Sequence, residues 1–185
     1  MNDNNQITSE KKQFVPREGS VEYKMLFGTP EEQKKMTAKF KFANKFFTIP
    51  LYKIGILPLF GAGYIFLLLY TKGRKTGKIR TTPLEYRKID GKMYIFASRG
   101  DKTHWLRNLK ANPNDVQVKI GFKKFAVEPR ILTVEERAKI FCQYVKNYPT
   151  ASKGLMGWDP KEDKLEETDF SFIAEHIPIV QLIKK

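Results

Sequence analysis

The spacing of hydrophobic positions changes along the chain, and each change marks an element. Over residues 30–47, Met36, Phe40, Ala43 and Phe47 recur every three or four positions, while Lys34, Lys35, Lys39, Lys41 and Lys45 fill much of the rest. That period is the signature of an amphipathic helix. Thr29-Pro30-Glu31-Glu32 supplies its start: Thr29 as N-cap, Pro30 in the first turn and Glu32 closing a capping box. Pro50 lacks an N–H to donate and is expected to stop it. From residue 64 the period shortens. YIFLLLY (64–70) is a continuous apolar run of strand length, expected to be buried on both faces. RTTPLEYR (80–87) and KMYIFAS (92–98) alternate and flank Asp90-Gly91, a pair that readily adopts the positive φ values of a tight hairpin turn.

THWLRNLKANP (103–113) reads as a short helix with Trp105, Leu106 and Leu109 on one face and Asn112-Pro113 as its stop. Residues 115–132 give two strands around a turn near Gly121. Thr133 to Glu136 is a second capping box, opening a helix whose stripe is Val134, Ala138, Phe141 and Val145. Residues 148–170 are charged and aperiodic, and IPIVQLI (177–183) reads as a closing strand. Residues 1–20 are polar without period and are expected to form a disordered arm, leaving 21–185 as a single domain. Six strands, mostly joined by hairpins, with two or three helices, predict a mainly β, α+β fold: a six-stranded antiparallel barrel with helices packed outside.

The net charge of +14 says nothing about this fold but favours an anionic partner. Cys142 is the single cysteine, so no internal disulfide is expected, and it falls in an apolar helical pattern as a packing residue. Only two histidines, His104 and His176, lie far apart, so no metal site is expected. The first residues carry no apolar run of the kind a secretory leader needs, so the expectation is a cytoplasmic protein. The uncharged stretch 54–70 is shorter than the roughly 20 residues of a spanning helix. Pro58, Gly61 and Gly63 also interrupt it. It reads as a loop leading into the buried strand. The 30–47 helix admits two readings: an apolar stripe packed on the core with lysines in water, or a basic helix resting on the inner face of an anionic membrane.

The most concentrated chemistry is TKGRKTGKIRTTP (71–83), where Lys72, Arg74, Lys75, Lys78 and Arg80 crowd one loop without an acid. A nucleoside triphosphate loop needs four residues between its glycines and Ser or Thr after the lysine. Here three residues separate Gly73 from Gly77, and Ile79 follows Lys78, which excludes it. Nucleic acid fits the charge, but no helix-turn-helix, zinc-finger or RNP pattern is present. A phosphorylated small ligand fits better: arginines fork onto phosphate oxygens, lysines act as point charges, and glycine amides form an anion-binding concavity. A solvated hairpin loop stands nearly level with that reading.

The stretch LLLYTKGRKTGKIRTTPLEYRKIDGKMYIFASRGDKTHWLRNLKANP, together with IPIVQL near the end, resembles the deazaflavin-dependent nitroreductase family of split β-barrel oxidoreductases. The resemblance implies that the basic loop holds the phosphate and acidic tail of coenzyme F-420, a 5-deazaflavin; FMN is the alternative cofactor. It implies Arg74, Lys75 and Arg80 as phosphate anchors, Gly73, Thr76 and Gly77 as further cofactor-binding residues of the same loop, and Lys72 and Lys78 as available to the acidic tail. It places Thr82 and Pro83 beside the deazaflavin, and Ala97, Ser98 and Arg99 along the ring side. Ser98 becomes the candidate catalytic group, hydrogen-bonding ring or substrate and assisting proton transfer; its other reading is a strand-end serine bonded to backbone. Trp105 and Asn108 are assigned to anchoring the short helix. The implied activity is hydride transfer from reduced F-420 to a quinone, enone or nitro acceptor. A non-catalytic deazaflavin- or lipid-binding protein remains as an alternative from another class. The chain departs from the family between its last long helix and the closing strand, where NYPTASKGLMGWDPKEDK carries Tyr148 alone among tyrosines. That departure leaves the acceptor open.

Overall fold

A computed structural model describes residues 11–185. In chain order the strands are β1 (Lys12–Gln13), β2 (Phe66–Lys72), β3 (Ile79–Ile89), β4 (Lys92–Phe96), β5 (Val116–Ile120), β6 (Lys123–Ile131), β7 (Thr168–Asp169) and β8 (Ile179–Lys184). The helices are α1 (Val21–Phe27), α2 (Pro30–Ala43), α3 (Ile49–Lys53), α4 (Ile56–Leu59), α5 (His104–Ala111), α6 (Val134–Asn147), α7 (Pro149–Met156) and α8 (Ser171–His176). Six strands close an antiparallel barrel in the order β2-β3-β4-β8-β6-β5. Alternation drives it: Leu67 and Leu69, Val116 and Val118, Ile95, Val127, Val180 and Leu182 meet inside, where Leu106 and Leu109 of α5 join them. A second core lies between the barrel and α6, α7 and α8, around Phe141, Tyr144, Ile173 and Ile177.

β3 belongs to both halves of the barrel. Its first half, Ile79 to Glu85, pairs with β2, and its second half, Tyr86 to Ile89, pairs with β4. Among the described residues, β4 has no partner register with β3 before Tyr86, so the edge at 79–85 carries no ladder to β4 and the barrel wall is parted there. Pro83 sits on that parted edge, where a residue without an N–H forfeits no ladder bond to β4.

Both capping boxes form as the sequence predicts: Thr29 with Glu32 and Thr133 with Glu136 each exchange side-chain and backbone bonds. Three expectations are corrected. Residues 11–20 are not a loose arm, although residues 1–10 lie outside the described residues. β1 pairs in parallel with β7, Phe14 is buried against Trp158 and Phe170, and Arg17 bonds Glu162 and Asp163. These contacts order much of 148–170, which contains α7 rather than only irregular chain. The third correction is at Pro50, which does not end the helix. A π turn over Asn44–Thr48 widens the coil before it, and α3 continues through the proline. The wider turn gives the proline ring room where an α turn would clash.

The apolar face of the 30–53 region also departs from the packed reading. α2 buries no residue, and Phe40, Phe42, Phe46 and Phe47 are all exposed. The segment is nonetheless fixed. Tyr52 is fully buried, donates to the Phe66 carbonyl (2.8 Å) and accepts from the Gly121 N–H (2.9 Å). Gly63 lies so close to Gly121 that a Cβ would fall 2.8 Å from its Cα, so the chain needs glycine there.

Candidate active site at the barrel opening

The basic loop joins β2 to β3 on a tight frame. Gly73 N–H donates to the Lys78 carbonyl (2.9 Å), Gly77 N–H donates to the Gly73 carbonyl (2.8 Å), and Gly77 adopts φ +66°. Gly73 is buried beneath the loop, and a Cβ there would press on the Lys78 oxygen and Thr76 Oγ1. Arg74, Lys75, Lys78 and Arg80 point outward and exposed, and among the described residues none forms an ion pair. Their guanidinium and ammonium groups, set close together with no acid beside them among the described residues, form a donor set of the kind that fits a phosphate.

Asn108 is the post that holds this loop. Its half-turn on α5 is buried, and its Oδ1 accepts from the Arg74 backbone N–H (3.3 Å) and from Arg74 Nη1 (3.1 Å). The residue assigned to anchoring a helix therefore also orients the first arginine. Lys72 behaves differently: it pairs with Asp115 at 3.5 Å and, with Gly77, borders a separate cleft of about 440 Å³.

Beside the loop, the parted wall opens into a groove of about 700 Å³. Thr81, Thr82, Pro83 and Leu84 form one side, and Phe96, Ser98 and Arg99 form the other. His104 and Trp105 of α5 close the end toward Arg74, while Lys41, Asn44 and Lys45 approach from the α2 side. The structure thus brings Thr82, Pro83, Ser98 and Arg99 together. Ala97 is a correction: it is buried in the barrel core rather than lining the ring side. His104 is held below its usual pKa, first by burial and then by the cations Arg74, Lys41, Arg99 and Arg107, so it faces the groove as a neutral imidazole at neutral pH.

Ser98 is not bonded to backbone. Its hydroxyl lies 2.7 Å from Glu22 Oε1, a residue 76 positions away on α1. Glu22 is almost wholly buried, and its second oxygen has no hydrogen-bond partner among the described residues. Burial raises its pKa from 4.5 to about 7, with Glu85 adding to the rise and the Ser98 bond opposing it. Glu22 and Ser98 border an inner chamber of about 180 Å³ that shares Pro83, Leu84 and Phe96 with the groove. Glu85, ion-paired with Arg87, lines it, as does Tyr144, whose buried hydroxyl is unpartnered and whose pKa burial pushes up. No periodicity distinguishes Glu22; only tertiary packing brings it to Ser98.

The profile described as F420H(2)-dependent quinone reductase matches residues 58–158. The F420H(2)-dependent quinone reductase Rv1261c of Mycobacterium tuberculosis is 49% identical over 65 residues, which is 33% of this chain. The match spans 42% of that relative's length, less than half. A solved structure titled F420-H2 Dependent Reductase (FDR-A) is 32% identical, covers 63% of this chain and 92% of its own, and superposes with a TM-score of 0.41.

Proposed function

Because this chain belongs to the F420H(2)-dependent quinone reductase family, we propose that it transfers hydride from reduced coenzyme F-420 to a quinone-type acceptor in the groove beside Ser98. The observation that carries this reading is the loop of four cations, without acid partners among the described residues, held at the end of a groove that the parted barrel creates. Arg74, Lys75 and Arg80 bind the coenzyme's phosphate, and Lys78 meets its acidic tail. Thr82 and Pro83 lie against the ring, and Arg99 borders it. When bound, the coenzyme supplies a hydride, a two-electron donor. The chain's residues orient it, exclude water with Phe96 and Trp105, and present the Ser98 hydroxyl to the acceptor oxygen. Lys72, paired with Asp115, contributes charge from the far side of the loop. The family assignment leaves no need for FMN.

The test is direct. Purified protein is titrated with F-420 and with FMN in parallel, reading fluorescence quenching, and reduced F-420 is then oxidised with menadione as the quinone probe. Saturable quenching by F-420 alone, with menadione-dependent oxidation, is the expected result. FMN binding in place of F-420 refutes the assignment.

The exposed apolar face supports one partner beyond coenzyme and acceptor: an anionic membrane surface. Phe42, Phe46 and Phe47 are more than half exposed, and Leu59, Phe60 and Tyr64 are 75%, 82% and 86% exposed. Lys34, Lys35, Lys39, Lys41 and Lys45 surround the helical part. A lipid-soluble quinone would reach the groove from such a surface, because Phe40, Lys41 and Lys45 also border it. Among the described residues no helix is long and apolar enough to cross a membrane.

A further inference from the structure

We propose that Glu22 is the proton store behind Ser98: a positioning residue that resupplies the serine hydroxyl with the proton it gives to the reduced acceptor. This rests on the hydride-transfer reading above. Its geometry is independent of that reading. Ser98 stands in the shared wall, bordering both the acceptor groove and the inner chamber, and Glu22 Oε1 is 2.7 Å behind it. Glu22 Oε2 is buried and unpartnered, as a carboxylic acid tolerates better than a carboxylate, which exposes two charged acceptors to an apolar wall. That wall is Leu84, Phe96, Phe141, Leu155 and Met156.

The charged and titratable groups facing Glu22 agree. Glu85 of β3 repels its negative form, and Arg87 is already engaged by Glu85. Tyr144 of α6 holds its proton. No cation among the described residues pairs with Glu22. Its raised pKa, about 7, lets it both hold and release a proton near neutrality.

The direction of the hydrogen bond is what makes the pair useful. With Glu22 ionised, the Ser98 hydroxyl donates to it and its proton is turned inward. With Glu22 protonated, the carboxyl donates to Ser98 Oγ, and the hydroxyl proton is free to face the groove. Hydride addition reduces a quinone-type acceptor by two electrons and leaves an oxyanion. As the acceptor O–H bond forms, the Ser98 O–H bond breaks. The Glu22 proton moves to Ser98 Oγ, leaving a carboxylate that recovers a proton from water before the next turnover. Atoms and charge balance with hydride from the coenzyme and one proton from solvent.

The test uses Glu22→Gln, which keeps the shape and can donate to Ser98 but carries no transferable proton. Two readouts are needed. First, infrared difference spectra of the coenzyme-free protein, titrated through neutral pH, are expected to show a carboxylic acid band that Glu22→Gln abolishes. Absence of that band in the parent overturns the proposal, whatever the protein reduces. Second, menadione turnover is followed against pH. The parent's kcat should fall as pH rises through about 7, while Glu22→Gln should be roughly tenfold or more slower and flat across that range, with F-420 affinity unchanged. A variant with the parental kcat and pH profile overturns it equally. Failure of the parent to bind F-420 would instead refute the hydride-transfer reading, and leaves the infrared result to decide the state of Glu22.

Discussion

At the scale of single residues, charge without a partner and charge without water mark different tasks. Arg74 and Arg80 are exposed and pair with no acid among the described residues, so their removal should leave folding nearly untouched while weakening anion binding. Arg74→Ala and Arg80→Ala are each expected to weaken F-420 binding by about 1.5–3 kcal/mol, the worth of a charge-assisted hydrogen bond, with little change in melting temperature. Parental affinity in both variants would remove the phosphate assignment. Glu22 is the converse. Its pKa is higher in the folded chain than the ordinary 4.5, so the folded state binds the extra proton between 4.5 and about 7. The stability it contributes is therefore full at low pH and is lost as pH rises through that window. Relative to the parent, Glu22→Gln should gain stability on going from about pH 5 to about pH 8, by up to roughly 3 kcal/mol. Denaturant unfolding at the two pH values measures this. Identical pH dependence in both proteins would mean that Glu22 is not titrating there.

Among elements, the site depends on how α5 meets the β2–β3 loop. Asn108 is buried, and its one oxygen accepts two bonds from Arg74, so the loop's first cation is set by a helix rather than by its own strands. Asn108→Ala should cost binding as well as stability. Freeing the Arg74 side chain adds an ordering cost, so F-420 affinity is expected to fall about fivefold, or about 1 kcal/mol. A loss of melting temperature with unchanged affinity would return Asn108 to a purely structural role. The same logic explains the parted wall. β3 serves β2 with one half and β4 with the other, so Thr81 to Leu84 are left free to face a ligand.

For the whole molecule, the question is why so much apolar surface stays in water. Single exposed hydrophobic residues are ordinary, but a run of them on a segment fixed by Tyr52 and Gly63 is not. With each nearby lysine contributing on the order of 1 kcal/mol at an anionic surface, the protein should sediment with anionic vesicles and not with neutral ones. Added salt should weaken that binding, and Lys41→Glu with Lys45→Glu should reduce it further. Empty pellets with anionic vesicles at low salt would end the membrane reading and leave the hydride-transfer reading intact.

The sequence by itself determined what depends on near neighbours. Thr29 and Thr133 cap their helices through residues three positions on, and Asp90-Gly91 turns the hairpin with φ of 49° and 73°. Alternation placed the barrel strands, and the glycines bent the cation-rich loop, because steric and electrostatic preferences of that kind act within a few residues. Tertiary structure alone decided the rest. Helical period marked Phe40 and Phe47 as one face without saying what covers it, and no element among the described residues does. Pro50 was read as a stop because its clash is local, yet an adjacent π turn relieves it. Residues 11–20 looked unstructured because their partners lie near the other end of the chain. Glu22 carried no signal, since the burial that raises its pKa comes from β3, β4, α6 and α7 closing around it. Burial is a property of everything that packs against a group, and that is settled only when the chain has folded.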